Sequence, residues 1–157
     1  MRIGQGIDVH AFSDDRDREL WLGLVQVPEA QGLVGHSDAD VATHALCDAL
    51  LGAANLGDLG RHFPDNDPAF AGASSRRLLE ETMALLRAGG YRVVSGDVTI
   101  IAERPKLVSF MPAMSHELSG VVGATMSVKA TTFEGLGAFG RGEGIGASAV
   151  VLIEESA

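Results

Sequence analysis

Hydrophobic and polar residues alternate along five stretches of the chain, which is the pattern of a β-strand with one buried face. In the first stretch, Ile3 and Ile7 fall on one parity, while Asp8 and His10 fall on the other. The alternation therefore predicts that Asp8 and His10 share one face of the first strand. The predicted strands cover residues 2–10, 21–27, 91–103, 125–132 and 145–154.

Three other stretches repeat their apolar residues with the period of a helix and carry helix start and stop signals. Ser37 is the expected N-cap of the first helix, with Asp40 as the acidic partner three residues later. Gly89 and Gly90 are placed to end the second helix, and Pro112 opens the third. The predicted helices cover residues 37–54, 74–88 and 112–122.

Strands interleaved with helices in this order predict a single α+β domain covering residues 1–157. Its expected architecture is a two-layer domain in which one mixed four- or five-stranded sheet packs against helices. A single sheet of this size leaves one face uncovered, so we expect the chain to form an oligomer. Residues 57–72 form a long turn-rich connection between the first two helices.

Composition narrows the class of protein. Apolar residues make up 46% of the 157 residues and aromatic residues only 5%, so the core must consist of small and branched aliphatic side chains. The net charge of −9 argues against a general nucleic-acid or anionic-membrane partner. No apolar run has the length of a membrane span, the first residues lack a signal-peptide pattern, and Cys47 is the one cysteine. We therefore expect a cytoplasmic protein.

Two groups of residues could form a metal site. Asp8 and His10 share a strand face, and a second group repeats every four residues along the chain. Two imidazoles and one carboxylate drawn from both groups would make a three-ligand zinc site with an open fourth position. The alternative is an exposed strand end beside a solvated helix face that happens to carry histidines. The second group consists of His36, Asp40, His44 and Asp48.

Three loop features admit both a functional and a structural interpretation. Asp58, Asp65 and Asp67 could accept hydrogen bonds from substrate hydroxyls, but aspartate is also common in turns. Lys106, one of two lysines, could contact a phosphate or simply aid solubility. The threonine- and glycine-rich segment 131–146 could bind phosphate through its backbone amides or serve only as a turn-rich connection.

Five segments, in order and spanning nearly the whole chain, resemble the 2-C-methyl-D-erythritol 2,4-cyclodiphosphate synthase family of the non-mevalonate isoprenoid pathway. The ordered set is far more specific than any one segment. These segments are RIGQGIDVHAF, GHSDADVATHALCDALLGAA, GDLGRHFPDND, DVTIIAERPK and VKATTFEGLGAFGRGEGI.

The resemblance implies a homotrimer with three active sites at subunit interfaces. It implies zinc bound by Asp8, His10 and His44, and a second divalent cation, Mg²⁺ or Mn²⁺, near Glu134. The implied enzyme is a phosphorus–oxygen lyase. Its substrate would be 4-diphosphocytidyl-2-C-methyl-D-erythritol 2-phosphate, and its products the 2,4-cyclodiphosphate and CMP.

The resemblance also assigns roles to individual residues. His36 and Thr132 match positions that stabilise the transition state, and Asp48 is expected to orient a metal ligand. An isoprenoid diphosphate is a candidate ligand on the threefold axis. The residues expected to contact substrate are Asp8, His10, His36, Ser37, Asp58, Leu59, Gly60, Phe63, Pro64, Asp65, Asn66, Asp67, Ala102, Glu103, Arg104, Pro105, Lys106, Leu107, Val108, Thr131, Thr132, Phe133, Glu134 and Arg141.

Three positions depart from the family pattern, and Arg141 has a structural alternative. Gln5 stands where some members carry histidine, Phe133 replaces a small polar residue, and residues 138–139 differ from the usual Phe-Thr order. Arg141 could instead form an ion pair with Glu143 that closes the trimer.

Two other functions fit the same residues. A zinc-dependent phosphohydrolase would use a similar metal site with a water nucleophile. A non-catalytic trimeric ligand-binding protein would hold a structural metal, which calls for a closed set of four ligands.

Overall fold

A mixed four-stranded sheet forms the centre of a computed structural model that describes residues 1–64 and 72–156. A separate two-stranded hairpin and five helices complete the described part of the chain. In chain order the elements are β1 (Arg2–Ala11), β2 (Leu20–Leu22), β3 (Val25–Val27), α1 (Val41–Ala53), α2 (Leu59–His62), α3 (Ser75–Ala88), β4 (Tyr91–Ile101), α4 (Met111–Val122), β5 (Thr125–Thr131), α5 (Gly137–Gly140) and β6 (Gly144–Glu155).

The strands of the large sheet lie in the order β1-β6-β4-β5. β4 and β5 are parallel and are joined through α4, whereas the other neighbouring pairs are antiparallel. This arrangement confirms the α+β class and the mixed sheet. Helix α3 begins after the N-cap Ser74 and ends at Gly89, and α4 begins one residue before Pro112, close to their predicted limits.

The prediction of one strand over residues 21–27 is wrong, because this segment forms the hairpin β2-β3. Gly23 and Leu24 occupy the turn with φ of 56° and 67°, the left-handed pair that a two-residue hairpin turn requires. Both of their amides donate to the carboxylate of Asp40, each at 2.8 Å. Two hydrogen bonds to a carboxylate on a distant loop therefore stabilise a turn that alternation alone does not reveal.

The predicted start of the first helix at Ser37 is also wrong. Helix α1 begins at Val41, and its N-cap is Asp40, whose carboxylate accepts from the Thr43 amide at 3.0 Å and the Thr43 hydroxyl at 2.6 Å. Ala39, with φ of 56°, interrupts helical geometry just before this cap. The buried Asp40 therefore faces the hairpin and does not belong to the histidine-bearing face of α1.

The backbones of helix α1 and strand β1 approach each other directly, without side chains between them at Gly4 and Gly6. A Cβ atom added to Gly4 would lie 1.9 Å from the carbonyl oxygen of Ala49, and one added to Gly6 would lie 2.0 Å from that of Ala45. Any side chain at either glycine would separate the two elements. This contact places His44, the neighbour of Ala45, beside the end of β1.

The opposite face of the sheet is open, as the sequence predicts. Ile3, Ile7 and Val9 of β1 are 75%, 62% and 57% exposed, and Val150 of β6 is 47% exposed. β4 and β5 are mainly polar outside the core, with Val94 39% exposed, and Lys129 forms an ion pair with Asp97. Apolar exposure is therefore concentrated on the β1–β6 half of this face.

Other boundaries differ slightly from the prediction. β4 ends at Ile101, two residues early, although the Ala102 amide still donates to the Thr131 carbonyl at 3.0 Å. The turn-rich connection contains α2, and the predicted site residues Asp65, Asn66 and Asp67 lie outside the described residues. Within the described part of the chain, no helix combines the length and apolar character that crossing a membrane requires.

We expect Asp40→Asn to lower the free energy of unfolding by about 2–3 kcal/mol, because an amide replaces one of two buried acceptor oxygens that together receive four hydrogen bonds. Urea unfolding at a fixed protein concentration measures the change. Asp14→Asn, at an exposed position, is the matched control. Equal stability of the two variants would contradict the role given to Asp40.

Candidate metal centre and active-site cavity

Asp8, His10 and His44 converge at the junction of β1 and α1. One ligand atom from each residue lies within 4.8 Å of the others. The Asp8 Oδ2 atom is 3.2 Å from His10 Nε2 and 3.1 Å from His44 Nδ1. Two ligands of a tetrahedral zinc ion are about 3.3 Å apart, given bonds of about 2.0–2.1 Å. The three donors therefore fit one ion.

The ring of His10 is oriented by the backbone. Its Nδ1 atom lies 2.5 Å from the carbonyl oxygen of Val34. A carbonyl can only accept, so Nδ1 carries a proton, and Nε2 faces Asp8, to which it donates when the ring is protonated and beside which it offers a lone pair when the ring is neutral. The neutral form is the one that a metal ligand requires.

Two serines and an aspartate orient His44 in the same way. The Ser75 hydroxyl and amide both donate to the carboxylate of Asp38. The remaining lone pairs of Ser75 Oγ face His44 Nε2 at 2.9 Å, and Ser37 Oγ lies 3.3 Å from the same nitrogen. His44 therefore donates through Nε2, which leaves Nδ1, the nitrogen that faces Asp8, as the one available to a metal ion.

The carboxyl group of Asp8 remains ionised. Burial raises its pKa, but the hydrogen bonds with His10 and His44 lower it further, and the net shift is downward. The hydrogen bond to Asp8 in turn raises the pKa of His10. Among the residues that the structure describes, this cluster offers three candidate ligands, a number that leaves one position of a tetrahedral metal ion open.

A cavity of about 280 Å³ opens beside the three ligands. Its lining brings together most of the substrate-contact residues predicted from the first half of the chain. The lining residues are Asp8, His10, Gly35, His36, Ser37, His44, Asp48, Leu59, Gly60, Phe63 and Leu78.

The acidic residues around this cavity mainly organise the backbone. Asp48 accepts from the Leu59 amide at 2.7 Å, and burial raises its pKa. Asp58 is the N-cap of α2 and accepts from the Arg61 amide at 2.9 Å. Asp58 thus has the turn role considered above. Asp48 positions α2 at the cavity wall, while its orientation of a metal ligand stays a prediction. Pro64 is the last described residue before the gap.

The remaining predicted residues gather at the far edge of the sheet, where the parallel strands β4 and β5 end side by side. The Glu103 carboxylate accepts from the Phe133 amide at 3.0 Å and the Gly135 amide at 3.3 Å. It thereby shapes the turn that carries Thr132 and Glu134. Two amides proposed for phosphate binding are thus engaged by a carboxylate in this structure.

Side chains of the 102–108 segment differ in what they can contact. Lys106 and Val108 are exposed, whereas Ala102 and Leu107 are buried and present only their backbone to a ligand. The Arg104 guanidinium lies 4.6 Å from the centre of the Phe12 ring. Pro105 follows it through a cis peptide bond, and Thr131 ends β5.

Two of the three family departures lie together in space. The rings of Phe133 and Phe139 meet edge to face with centroids 5.2 Å apart. Arg141 donates to Glu143 at 2.6 Å, which is the ion pair considered as its structural alternative. Both residues of this pair are more than half exposed.

Sequence reasoning missed the residues that orient the ligands. Asp38 lies within a family segment but the resemblance assigns it no role, Ser75 lies outside all five segments, and Val34 acts through its carbonyl oxygen. Asp38 stands two residues from His36, but nothing in the sequence signals that it binds the start of α3. The buried Cys47, whose pKa burial raises to about 12, takes no part in the site.

This fold and site define a class of α+β proteins with a candidate catalytic metal centre between a strand and a helix. The chain belongs to the YgbB family, whose family model matches residues 1–154. This match, together with relatives named 2-C-methyl-D-erythritol 2,4-cyclodiphosphate synthase, confirms the resemblance stated from the sequence.

Relatives with established names cover nearly the whole chain. The 2-C-methyl-D-erythritol 2,4-cyclodiphosphate synthase of Geobacter metallireducens is 55% identical over 157 residues, covering 98% of this chain and 99% of that protein. A solved 2C-methyl-D-erythritol-2,4-cyclodiphosphate synthase in its CDP-bound form is 36% identical with a TM-score of 0.88, covering 98% and 100%. A CDP complex from Plasmodium falciparum is 30% identical with a TM-score of 0.85, covering 99% and 97%.

We expect His44→Ala to abolish tight zinc binding, because it removes one of three ligands. Ser75→Ala should weaken zinc binding about tenfold, because it frees the ring of His44. Ser74→Ala removes a neighbouring hydroxyl that only caps α3 and should bind zinc normally. Competition with a chromogenic chelator measures all three. A folded His44→Ala variant with wild-type zinc affinity would refute the ligand assignment.

Proposed function

We propose that this protein converts 4-diphosphocytidyl-2-C-methyl-D-erythritol 2-phosphate to 2-C-methyl-D-erythritol 2,4-cyclodiphosphate and CMP. Its relatives of this name match it almost end to end, and two solved relatives bind CDP. The observation that carries the proposal is the three-ligand cluster of Asp8, His10 and His44 at the mouth of a cavity.

The reaction is an intramolecular phosphoryl transfer. An oxygen of the 2-phosphate forms a bond to the β-phosphorus, the bond from that phosphorus to the oxygen bridging it to the α-phosphorus breaks, and CMP leaves. Such chemistry needs little covalent help from a protein, so catalysis depends on positioning and charge stabilisation. Holding both ends of one molecule together can lower the barrier by about 7–11 kcal/mol.

Asp8, His10 and His44 would hold zinc, whose chemistry when bound is that of a Lewis acid on a phosphate oxygen. His36 and Ser37 lie in the cavity wall beside these ligands, where they can contact the methylerythritol phosphate. Glu134 would hold the second cation, Mg²⁺ or Mn²⁺, near the diphosphate. A chain with a net charge of −9 and two lysines has few side-chain cations to neutralise the substrate's phosphates, so metal ions would supply much of the positive charge.

The two halves of the proposed site lie on opposite edges of one sheet. The metal ligands Asp8 and His10 are on β1, whereas Thr132 and Glu134 follow β5, three strands away. At about 4.8 Å between strands, this separation is about 14 Å. A second copy of the chain that placed its β5 edge beside β1 would complete the cavity. We propose that the protein is a homotrimer whose active sites lie between subunits.

The exposed apolar residues of β1 and β6 support this assembly. Burying Ile3, Ile7 and Val9 against other copies removes apolar area from water, which is the main driving force for association. An isoprenoid diphosphate on the threefold axis and a cytoplasmic location stay predictions.

We expect light scattering to give three times the 16.4 kDa monomer mass. We expect Ile7→Asp to dissociate the assembly, because it places a charge on the exposed apolar face that the trimer would bury. Ile7→Val keeps the surface apolar and should remain trimeric. Loss of trimer should abolish turnover even though each subunit keeps its zinc ligands. A monomeric wild-type protein would overturn the shared-site proposal.

We expect the protein, incubated with Zn²⁺, Mg²⁺ and the proposed substrate, to release CMP and a cyclic diphosphate, both followed by phosphorus NMR. In water enriched in oxygen-18, neither product should acquire the label. A phosphohydrolase would incorporate solvent oxygen, and a binding protein would leave the substrate intact. Labelled product would therefore indicate the phosphohydrolase, and intact substrate would indicate the binding protein; either result would contradict the proposed activity.

A further inference from the structure

The loop between β1 and β2 sends one side chain, Arg18, against the wall of the active-site cavity. The half-buried guanidinium donates through Nε to the carbonyl of Leu33 and through Nη2 to those of Gly35, at 2.9 Å, and Ser37. One planar cation thus binds three alternate carbonyl oxygens of a single short segment. This geometry uses the multiple fixed donors of arginine, which lysine lacks.

The segment that Arg18 binds, residues 33–37, carries several groups of the site. The Val34 carbonyl, which lies between two of the bound carbonyls in sequence, accepts from the metal ligand His10. His36 lines the cavity, and Ser37 Oγ lies 3.3 Å from Nε2 of His44. A shift of this segment would therefore move groups that contact both histidine ligands.

Other backbone contacts restrain residues 33, 34 and 36 of the segment, where the His36 carbonyl accepts from the Gly72 amide at 2.9 Å. The Val34 amide donates to the Ala11 carbonyl at 2.9 Å, and Leu33 forms an isolated bridge with Phe12. Arg18 extends this restraint to the carbonyls of Gly35 and Ser37, on both sides of His36.

We propose that Arg18 is a positioning residue that fixes segment 33–37 and thereby sets the orientation of the metal-binding imidazoles and of His36. Nothing in the proposal requires Arg18 to touch the substrate. Its effect on turnover rests on the function proposed above, whereas its effect on the metal site rests only on the three-ligand cluster.

The test compares Arg18→Ala and Arg18→Lys with Arg16→Ala, which removes an exposed arginine from the same loop. The readouts are affinity for Zn²⁺, the visible spectrum of the Co²⁺-substituted protein, turnover, melting temperature and recovery by added guanidinium ion. We expect both Arg18 variants to bind Zn²⁺ about tenfold more weakly and to show an altered Co²⁺ spectrum. Arg16→Ala should match the wild type.

Lysine keeps the charge but cannot span three carbonyls, so Arg18→Lys should behave like Arg18→Ala. Guanidinium ion should restore Zn²⁺ affinity and turnover to Arg18→Ala and have no effect on Arg16→Ala. If Arg18→Ala does not fold, Arg18→Lys provides the same comparison.

Two results would overturn the proposal. In the first, the folded Arg18 variants keep wild-type Zn²⁺ affinity and Co²⁺ spectra, and only their melting temperature falls. Arg18 would then stabilise the loop without positioning the metal ligands. In the second, guanidinium ion restores nothing to Arg18→Ala. Absence of turnover in the wild type would refute the proposed function instead, and the metal readouts would still decide the role of Arg18.

Discussion

The close contact between β1 and α1 is the constraint on which the site depends. Gly4 and Gly6 let the strand approach the helix until a Cβ atom would meet the carbonyl oxygens of Ala49 and Ala45. At this separation, the next residues of the strand on the same face reach His44. A larger side chain at either glycine would increase the distance between β1 and α1, and three ligands would no longer converge on one ion.

Two carboxylates, the buried Asp40 and the half-buried Asp38, maintain the loops around this contact. Asp40 joins the β2-β3 hairpin to the start of α1, and Asp38 joins the same loop to the start of α3 through Ser75. Each receives backbone amide hydrogen bonds, which compensates for removing its charge from water. The resulting network also determines which nitrogen of His44 faces the metal. Stability and ligand orientation therefore rest on the same hydrogen bonds.

The sheet accounts for the division of the site. One face packs against helices, while the other exposes the apolar side chains of Ile3, Ile7 and Val9. The candidate metal ligands Asp8 and His10 lie at the β1 edge, and Thr132 and Glu134 follow the β5 edge. Self-association would cover the apolar face and bring the β5 edge of one copy beside β1 of another. One assembly would therefore both bury the apolar surface and complete the proposed site.

The sequence alone determined the strands and helices with strong periodicity, the α+β class and the grouping of Asp8, His10 and His44 as candidate metal ligands, because these depend on local spacing and on motifs in order along the chain. It failed at Ser37 and at residues 21–27, where the buried Asp40 accepts amides from both elements and decides where helix and hairpin begin. The ligand orientation by Val34, Asp38 and Ser75 was equally hidden. Hydrogen bonds between distant segments carry no periodic signal, so only the tertiary structure decided them.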